Sequence, residues 1–142
     1  MLITQNQRKS FVSETKITKE NQGTQVVWNQ ETELNEEKET HEVFREGTTT
    51  KVYSLGMLSV DSSIKLLLDK QDPAYAILKN AYDKNTPVYF AVLDDGVTGK
   101  QGLFYLTSWS RSYGSEGNLE ISIGLALAAT DATCYEDVDF SE

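Results

Sequence analysis

From Leu119 to Leu127 the chain alternates without a break. Leu119, Ile121, Ile123, Leu125 and Leu127 fall on one side, and Glu120, Ser122, Gly124 and Ala126 on the other. Successive side chains of a strand point to opposite faces, so this period of two buries one apolar face and leaves the other polar or small. As a helix the same residues would scatter their leucines and isoleucines around the whole circumference. The stretch therefore demands a sheet with one covered side and one open or partner-facing side.

Most of the second half of the chain obeys the same rule. Lys51–Val60 and Ser62–Leu68 read as two strands parted by Asp61-Ser62, and Val88–Leu93 as a third. A loop from Asp94-Asp95-Gly96 to Gly102 turns the chain back into Leu103–Trp109, and a glycine-bearing turn at 113–117 leads into the alternating strand. Upstream, Thr24–Asn29 is a short strand with β-branched and aromatic bulk at Val26, Val27 and Trp28. One helix interrupts this pattern. Asp72 offers a capping carboxylate and Pro73 a preset first helical residue. Ala74, Ile77, Leu78 and Ala81 recur at helical spacing, and Asn85 and Pro87 close the segment. A helix over 73–84 makes only about three turns, marginal unless it lies on something. Strands with a single interposed helix predict a mostly β, α+β fold, a sandwich or barrel-like core with one flanking helix.

Charge divides the remainder. The chain of 142 residues has a formal net charge of −9. Residues 1–19 carry Arg8, Lys9, Lys16 and Lys19 against Glu14, whereas residues 29–50 carry seven glutamates against Lys38 and Arg45. From Asp131 onward there are five acids and no base. Three units follow: a polar arm over 1–23, ordered on docking, a domain over 24–130, and an acidic tail over 131–142. Gln30–Thr40 has almost no apolar face, so the acidic excursion at 29–50 is expected to protrude as a loop or hairpin. Glu42–Arg45 would return it as a strand. The charge segregation suggests that the basic arm of one copy meets the acidic excursion of another, with Arg8, Lys9, Lys16, Glu36, Glu37, Glu39, Glu42 and Arg45 as contacts. An excess of acid disfavours binding to a phosphate backbone.

Signals of catalysis are missing. One histidine and one cysteine exclude His- or Cys-rich zinc sites and any internal disulfide. A nucleophilic pair would need His41 and Cys134 to meet from two very polar segments. Ser115 lacks the spacing of a nucleophile elbow, and the Gly96–Gln101 stretch that of a phosphate loop. Asp94-Asp95-Gly96 reads as turn chemistry rather than a calcium loop. Trp28 and Trp109 are large enough to stack on a sugar, but aromatics in a β core more often pack. No segment has the roughly 20 apolar residues of a membrane helix, and the opening MLITQNQRKSF has no secretory h-region. No enzyme activity, metal or cofactor is expected, and synthesis is expected in a cytosol.

The order of features resembles a known family. Asp69, Asp72-Pro73, Leu78, Ala81-Tyr82, Pro87-Val88-Tyr89-Phe90, the Gly102–Trp109 strand and the closing Asn118–Leu127 strand are similar to the major tail, or tail tube, proteins of long-tailed bacteriophages, most of all the non-contractile types from phages of Gram-positive hosts. The resemblance spans roughly residues 24–130. Relatives often end the last strand in a Thr-Gly-like close, where this chain has Ala128-Ala129-Thr130-Asp131. It implies a structural virion protein assembling into stacked hexameric rings, the tail tube that conducts the genome into the host. It further implies neighbouring subunits joined into one barrel, bridged by the arm and the long loop. The implied partners are other copies, a tape-measure protein, and tail terminator and distal tail proteins, with DNA passing through the lumen without sequence-specific binding. Another ring component of the same lineage, a distal tail or secretion-system tube protein, is the near alternative, and a carbohydrate-binding β-sandwich the distant one.

Overall fold

The computed structural model describes residues 2–3, 7–27, 29–43, 47, 52–113, 119–128 and 135–141, with only the backbone of Val52, Met57 and Tyr113. Trp28, Arg45, Ser115 and Cys134, and the turn over 114–117, lie outside the described residues.

The described strands are β1 (Lys9–Ser13), β2 (Thr24–Gln25), β3 (Asn29–Val43), β4 (Val52–Leu67), β5 (Val88–Leu93), β6 (Thr98–Tyr113), β7 (Leu119–Leu127) and β8 (Tyr135–Asp139). They form one antiparallel sheet in the order β2-β1-β5-β6-β7-β4-β3, with β8 paired to β6 off this path. The long β6 belongs to both halves of the fold. Gly99–Phe104 pairs with β5, and Phe104–Tyr113 pairs with β7. The sheet folds over so that its two halves face each other. Val12, Val88, Phe90 and Val92 of one half share a single apolar core with Ile64, Leu66, Ile121, Ile123 and Leu125 of the other. The fold is thus mostly β and sandwich-like, with one helix, as the residue patterns predict.

The helix α1 (Pro73–Lys84) starts and stops where its caps dictate. The Asp72 carboxylate accepts from the Ala74 N–H at 3.1 Å, leaving one fewer free donor in the first turn. Asn85 takes the left-handed conformation (φ 57°), and the Thr86 N–H reaches back to the Ala81 carbonyl at 3.1 Å. Ala74, Leu78 and Ala81 are buried in the core. Trp109 of β6 stacks on Tyr75 and Tyr82 at centroid distances of 6.0 and 5.5 Å, with the Lys79 ammonium 5.5 Å above its ring. Those contacts lay the helix across the sheet and commit Trp109 to packing.

Five stretches differ from the sequence expectation. The loop expected up to Gly102 closes early, because β6 starts at Thr98 and Gly99 already pairs with Leu93. Lys51–Val60 and Ser62–Leu68 are one strand, because Asp61 and Ser62 sit in register rather than in a turn. Asp61 stands opposite both Asn35 and Ala126, and Asn35 Nδ2 donates to its carboxylate at 3.2 Å. The Ser62 hydroxyl is directed to the Glu33 carbonyl at 2.6 Å. Within residues 1–23, Lys9–Ser13 is a strand between β2 and β5, since Phe11 and Val12 give it two apolar faces to bury. Within residues 131–142, Tyr135–Asp139 is a strand on β6, anchored by the buried Val138. In Thr24–Asn29 only Thr24 and Gln25 form strand pairs with β1, while the Val26 N–H donates to the Ser10 carbonyl at 2.8 Å and its side chain enters the core.

A second small core lies on the outer side of β5, where Phe11, Ile17, Ala91, Leu93 and Val138 cluster, with Phe140 edge-on to Phe11 at 5.5 Å. Gly99 permits the close approach of β6 to β5 there, since a Cβ at this position would lie 1.9 Å from the Val92 carbonyl oxygen. Gln101 seals the cluster. Its buried amide donates to the Ile17 carbonyl at 2.6 Å and accepts from the Ile17 N–H at 3.1 Å, acting as a piece of strand for a segment that has none. Gln101→Leu would bury both Ile17 backbone groups unpaired, a loss of about 2–4 kcal/mol. Urea unfolding is expected to show a lower midpoint with an unchanged slope.

Candidate assembly surfaces

Before residue 61, among the described residues, β4 has β3 as its one paired strand, although Leu58 and Val60 still pack on the core. The pairing of β4 with β7 stops at Asp61 and Ala126, whereas its pairing with β3 continues to Val52 opposite Val43. Residues 36–43 and their partners form a two-stranded ribbon reaching about 25 Å past the last cross-strand support. This is the acidic excursion, and it is a hairpin arm rather than a loop. Every residue of β3 from Glu36 to Val43 is exposed. Val43, Tyr53 and Leu55 are exposed apolar side chains on it. A register shift between Lys38 and Thr40 places one extra residue on β4 next to Gly56, a bulge that increases local twist. Such a ribbon is marginal alone.

The root of the ribbon is tied to β8. The Tyr135 hydroxyl donates to Glu36, and the half-buried phenol is pushed above its usual range, first by burial and then by that carboxylate. Lys100 pairs with Asp137 at 2.8 Å and lies 5.4 Å from the Tyr135 ring, while Lys16 pairs with Glu136. Hydrogen bonds to those carboxylates raise both lysines.

Two backbone edges are left over. Among the described residues no strand pairs with the outer edge of β3, and none with the Tyr105–Tyr113 edge of β6 opposite β7, because β5 ends its pairing at Phe104. These are the two margins of one four-stranded sheet, β6-β7-β4-β3. They also differ in charge. The margin at β3 carries Glu31, Glu33, Glu36, Glu37, Glu39 and Glu42 with Lys38, whereas Tyr105–Tyr113 carries Arg111 and no acid.

The four-stranded sheet has one face on the core and one bare face. Across the bare face the register sets Asn35, Asp61, Ala126 and Tyr105 in one row. Glu33, Ser63, Gly124 and Ser108 form the next, followed by Glu31, Lys65, Ser122 and Ser110. The side chains are short, hydroxylic or acidic. The one cation in these rows, Lys65, is paired with Glu120 at 3.2 Å. The alternation of Leu119–Leu127 forecasts this face, and sequence alone leaves unseen the neighbours that complete it.

Of the contacts expected from charge, Lys16 and Glu36 are engaged within their own chain, by Glu136 and Tyr135. Lys9 opens β1 opposite Leu93, and Arg8 is half-buried just before it. Glu37, Glu39 and Glu42 stay exposed on the ribbon, with His41 3.8 Å from Glu39. Among the described residues no ion pair joins Arg8 or Lys9 to the ribbon, which lies at the far end of the strand order. Also among the described residues, no group of three or more His, Cys, Asp or Glu is placed to hold a metal, and no helix is long and apolar enough to cross a membrane.

No protein-family model and no curated protein sequence matches the chain. Solved structures do share its fold. The SPP1 tail tube aligns with a TM-score of 0.74 at 18% identity, over 98% of this chain and 82% of that one. A chain of the virion of a native gene transfer agent particle gives 0.70 at 16%, over 90% and 95%. The tail of an empty gene transfer agent particle, of C6 symmetry, gives 0.66 at 18%, over 84% and 90%. At such identities the likeness is one of fold, and the fold is that of tail tube chains.

Tyr135→Phe tests the tie between β8 and the ribbon. Losing a half-buried hydrogen bond to a carboxylate is expected to cost about 1–2 kcal/mol in denaturant unfolding and to speed amide exchange across 36–43 more than elsewhere. Unchanged exchange in the ribbon would show that the tie does not hold it.

Proposed function

We propose that this protein is the structural subunit of a tail tube. Copies join head to tail, the β3 margin of one sheet pairing with the β6 margin of the next, and the resulting rings stack into a conduit. The observation that carries this reading is the four-stranded sheet with two unpaired margins of unlike charge. Unpaired edges are a liability that a chain must cover or use. Pairing β3 with β3 would set glutamates against glutamates, while β3 against β6 meets Arg111 and no acid. A head-to-tail interface of that kind closes into a ring when its rotation permits.

Bulk decides which face looks inward. One face of the sheet carries the second layer and α1, and the other carries no layer among the described residues, only side chains that are mostly small, hydroxylic or acidic. A closed ring must place the bulky layer outside, so the serine- and acid-rich face lines the bore. With six copies, the symmetry given for the gene transfer agent tail, the barrel has about 24 strands. At about 4.8 Å between strands and a tilt near 40°, it is roughly 45–50 Å between backbones, leaving a bore of roughly 35–40 Å. That is wide enough for a duplex. A wall whose lysine is neutralised by Glu120 has little cationic charge with which to displace counterions from phosphates, so DNA slides without sequence-specific binding. On this reading the protein is a virion component made in the host cytoplasm. Its partners are its own copies, the tape-measure protein around which the tube forms, and terminator and distal tail proteins at its ends. The exposed Glu37, Glu39 and Glu42 face Arg8 and Lys9 of neighbouring copies.

Shortening the ribbon tests assembly. Lys38 and Leu58 are directly opposed, so an Asn-Gly turn joining them in place of residues 39–57 suits a two-residue hairpin. The variant is expected to remain a folded monomer and to form no tubes by negative-stain electron microscopy, where the parent forms long ones. Normal tubes from the variant would remove the ribbon from assembly. A parent that stops at single rings would favour a distal tail or terminator role. The bore is tested by Asp61→Lys with Glu120→Lys. Tubes of this double variant are expected to retain duplex DNA at low salt and release it steeply as salt rises, where parent tubes retain none.

A further inference from the structure

Four strands make the open sheet, and that number decides how two copies can meet. Each strand is antiparallel to its neighbour, so β6 and β4 run one way and β7 and β3 the other. The two margins therefore run in opposite senses. Copies set side by side in the same orientation bring β3 of one against β6 of the next as an antiparallel pair, the better-bonded arrangement. An odd number of strands would have forced a parallel joint.

Closure then limits the offset of that pair. In a ring of identical copies every joint carries an equal share of the stagger that tilts the strands of a barrel. The share must be even, because a slip of one residue would turn every side chain to the other face. For about 24 strands roughly 4.8 Å apart, a rise of about 3.3 Å per residue and a tilt of about 35–45°, each copy contributes about four to six residues. Four gives a tilt of about 35°, and six about 46°. Overlap gives the direction. With no stagger, the rows through Asn35, Glu33 and Glu31 would run on to Tyr105, Ser108 and Ser110 of the next copy. A shift away from the ribbon carries the β6 margin off the start of β3 at Asn29. A shift toward it keeps all of Tyr105–Tyr113 opposite β3.

Charge chooses between four and six. Glu36 and Trp109 lie on the same face of the sheet, in the rows of the buried Val60 and Ile123. At a stagger of four, Glu36 comes opposite Trp109 of the next copy. The Lys79 ammonium stands 5.5 Å above that ring, held one turn back by Asp83 at 3.1 Å, and Arg111 follows two residues along on the same face. At six, Lys38 would take the place of Glu36 and meet Lys79 as a like charge. We infer that neighbouring copies join with a stagger of four residues toward the ribbon, seating Glu36 of one copy between Lys79 and Arg111 of the next. A carboxylate bonded to Tyr135 keeps acceptor sites for both cations. The helix, a packing element within its own subunit, thereby becomes part of the joint. The inference rests on the tube reading and gives its β3–β6 joint an orientation, a register and a socket.

Cysteine pairs read the register in the full chain. In a Cys134→Ser background, Ser110→Cys is combined in turn with Asn35→Cys, Glu31→Cys and Glu37→Cys. Directly opposed Cα atoms lie about 4.5–5.5 Å apart, within reach of a disulfide, whereas partners two residues along lie about 7–8 Å apart, outside it. Mild oxidation of assembled tubes is expected to link positions 35 and 110 into a ladder of covalent multimers that ends at one closed ring. Linking at 31 and 110, or at 37 and 110, overturns the stagger of four and leaves the tube reading standing. Tubes that link through none of the three overturn the pairing of these margins as well. A protein that forms no tubes at any concentration overturns the inference together with the tube reading. The socket has its own test in Glu36→Gln and Arg111→Gln, since the amide still offers Tyr135 an acceptor. Each alone is expected to raise the concentration needed for tubes about three- to tenfold, and the two together no further. Effects that multiply in the double variant overturn the socket.

Discussion

A peptide edge cannot be left dry and unpaired without cost, and it cannot be left wet without inviting a partner. In this chain that constraint falls on one four-stranded sheet, whose two margins run along β3 and the distal half of β6. Everything else is arranged so that these margins stay open. The second layer, β1, β2 and β5, is built on the proximal half of β6 and stops at Phe104. β8 covers the opposite side of that same half. The helix lies over the core and packs on the side chain of Trp109, itself a residue of the β6 margin. A monomer concerned only with its own stability would have capped these edges.

How much of this was legible follows from where each segment finds its partner. Leu119–Leu127 and Pro73–Lys84 could be read directly because their instructions are local: a strict alternation in one, a carboxylate cap and an asparagine stop in the other. The ribbon was harder. Glu31 to Glu42 has no apolar period, so nothing local distinguishes a solvated strand from a loop, and only pairing with β4 decides it. Asp61-Ser62 misled for the reverse reason. They have the composition of a turn, yet their polar atoms are spent on Asn35 and the Glu33 carbonyl while the backbone runs straight through. β1 and β8 were hidden among polar neighbours. Each is fixed by a few apolar residues, Phe11 and Val12 in one and Val138 in the other, whose burial depends on a core formed by distant sequence.

The candidate surfaces were legible as charge but not as geometry. Counting residues separates a basic beginning from an acidic excursion, and it suggests that they meet. It does not reveal that Lys16 already holds Glu136, or that Glu36 is used by Tyr135 to orient the ribbon. These internal ties divide the charged residues into two groups. Lys16 and Glu36 are tied within their own subunit, and Glu37, Glu39 and Glu42 remain exposed.

Charge on the β3 margin also resolves an apparent conflict between solubility and assembly. An open edge fifteen residues long would seem an aggregation hazard. Identical ribbons, however, repel one another through their glutamates, and the repulsion is strongest in the symmetric pairing that would yield dead-end dimers. The margin at β6, with Arg111 and no acid, carries no such penalty. The acids therefore select among partners rather than merely solvating the chain. They suppress the closed two-fold contact and spare the head-to-tail one, which alone leaves a free margin at each end for the next subunit. The same residue type recurs on the bare face, where Glu31, Glu33 and Asp61 share rows with Ser63, Ser108, Ser110 and Ser122, and Lys65 is held by Glu120. A polyanion would find no free cation in those rows, whereas the β6 margin keeps Arg111 and no acid.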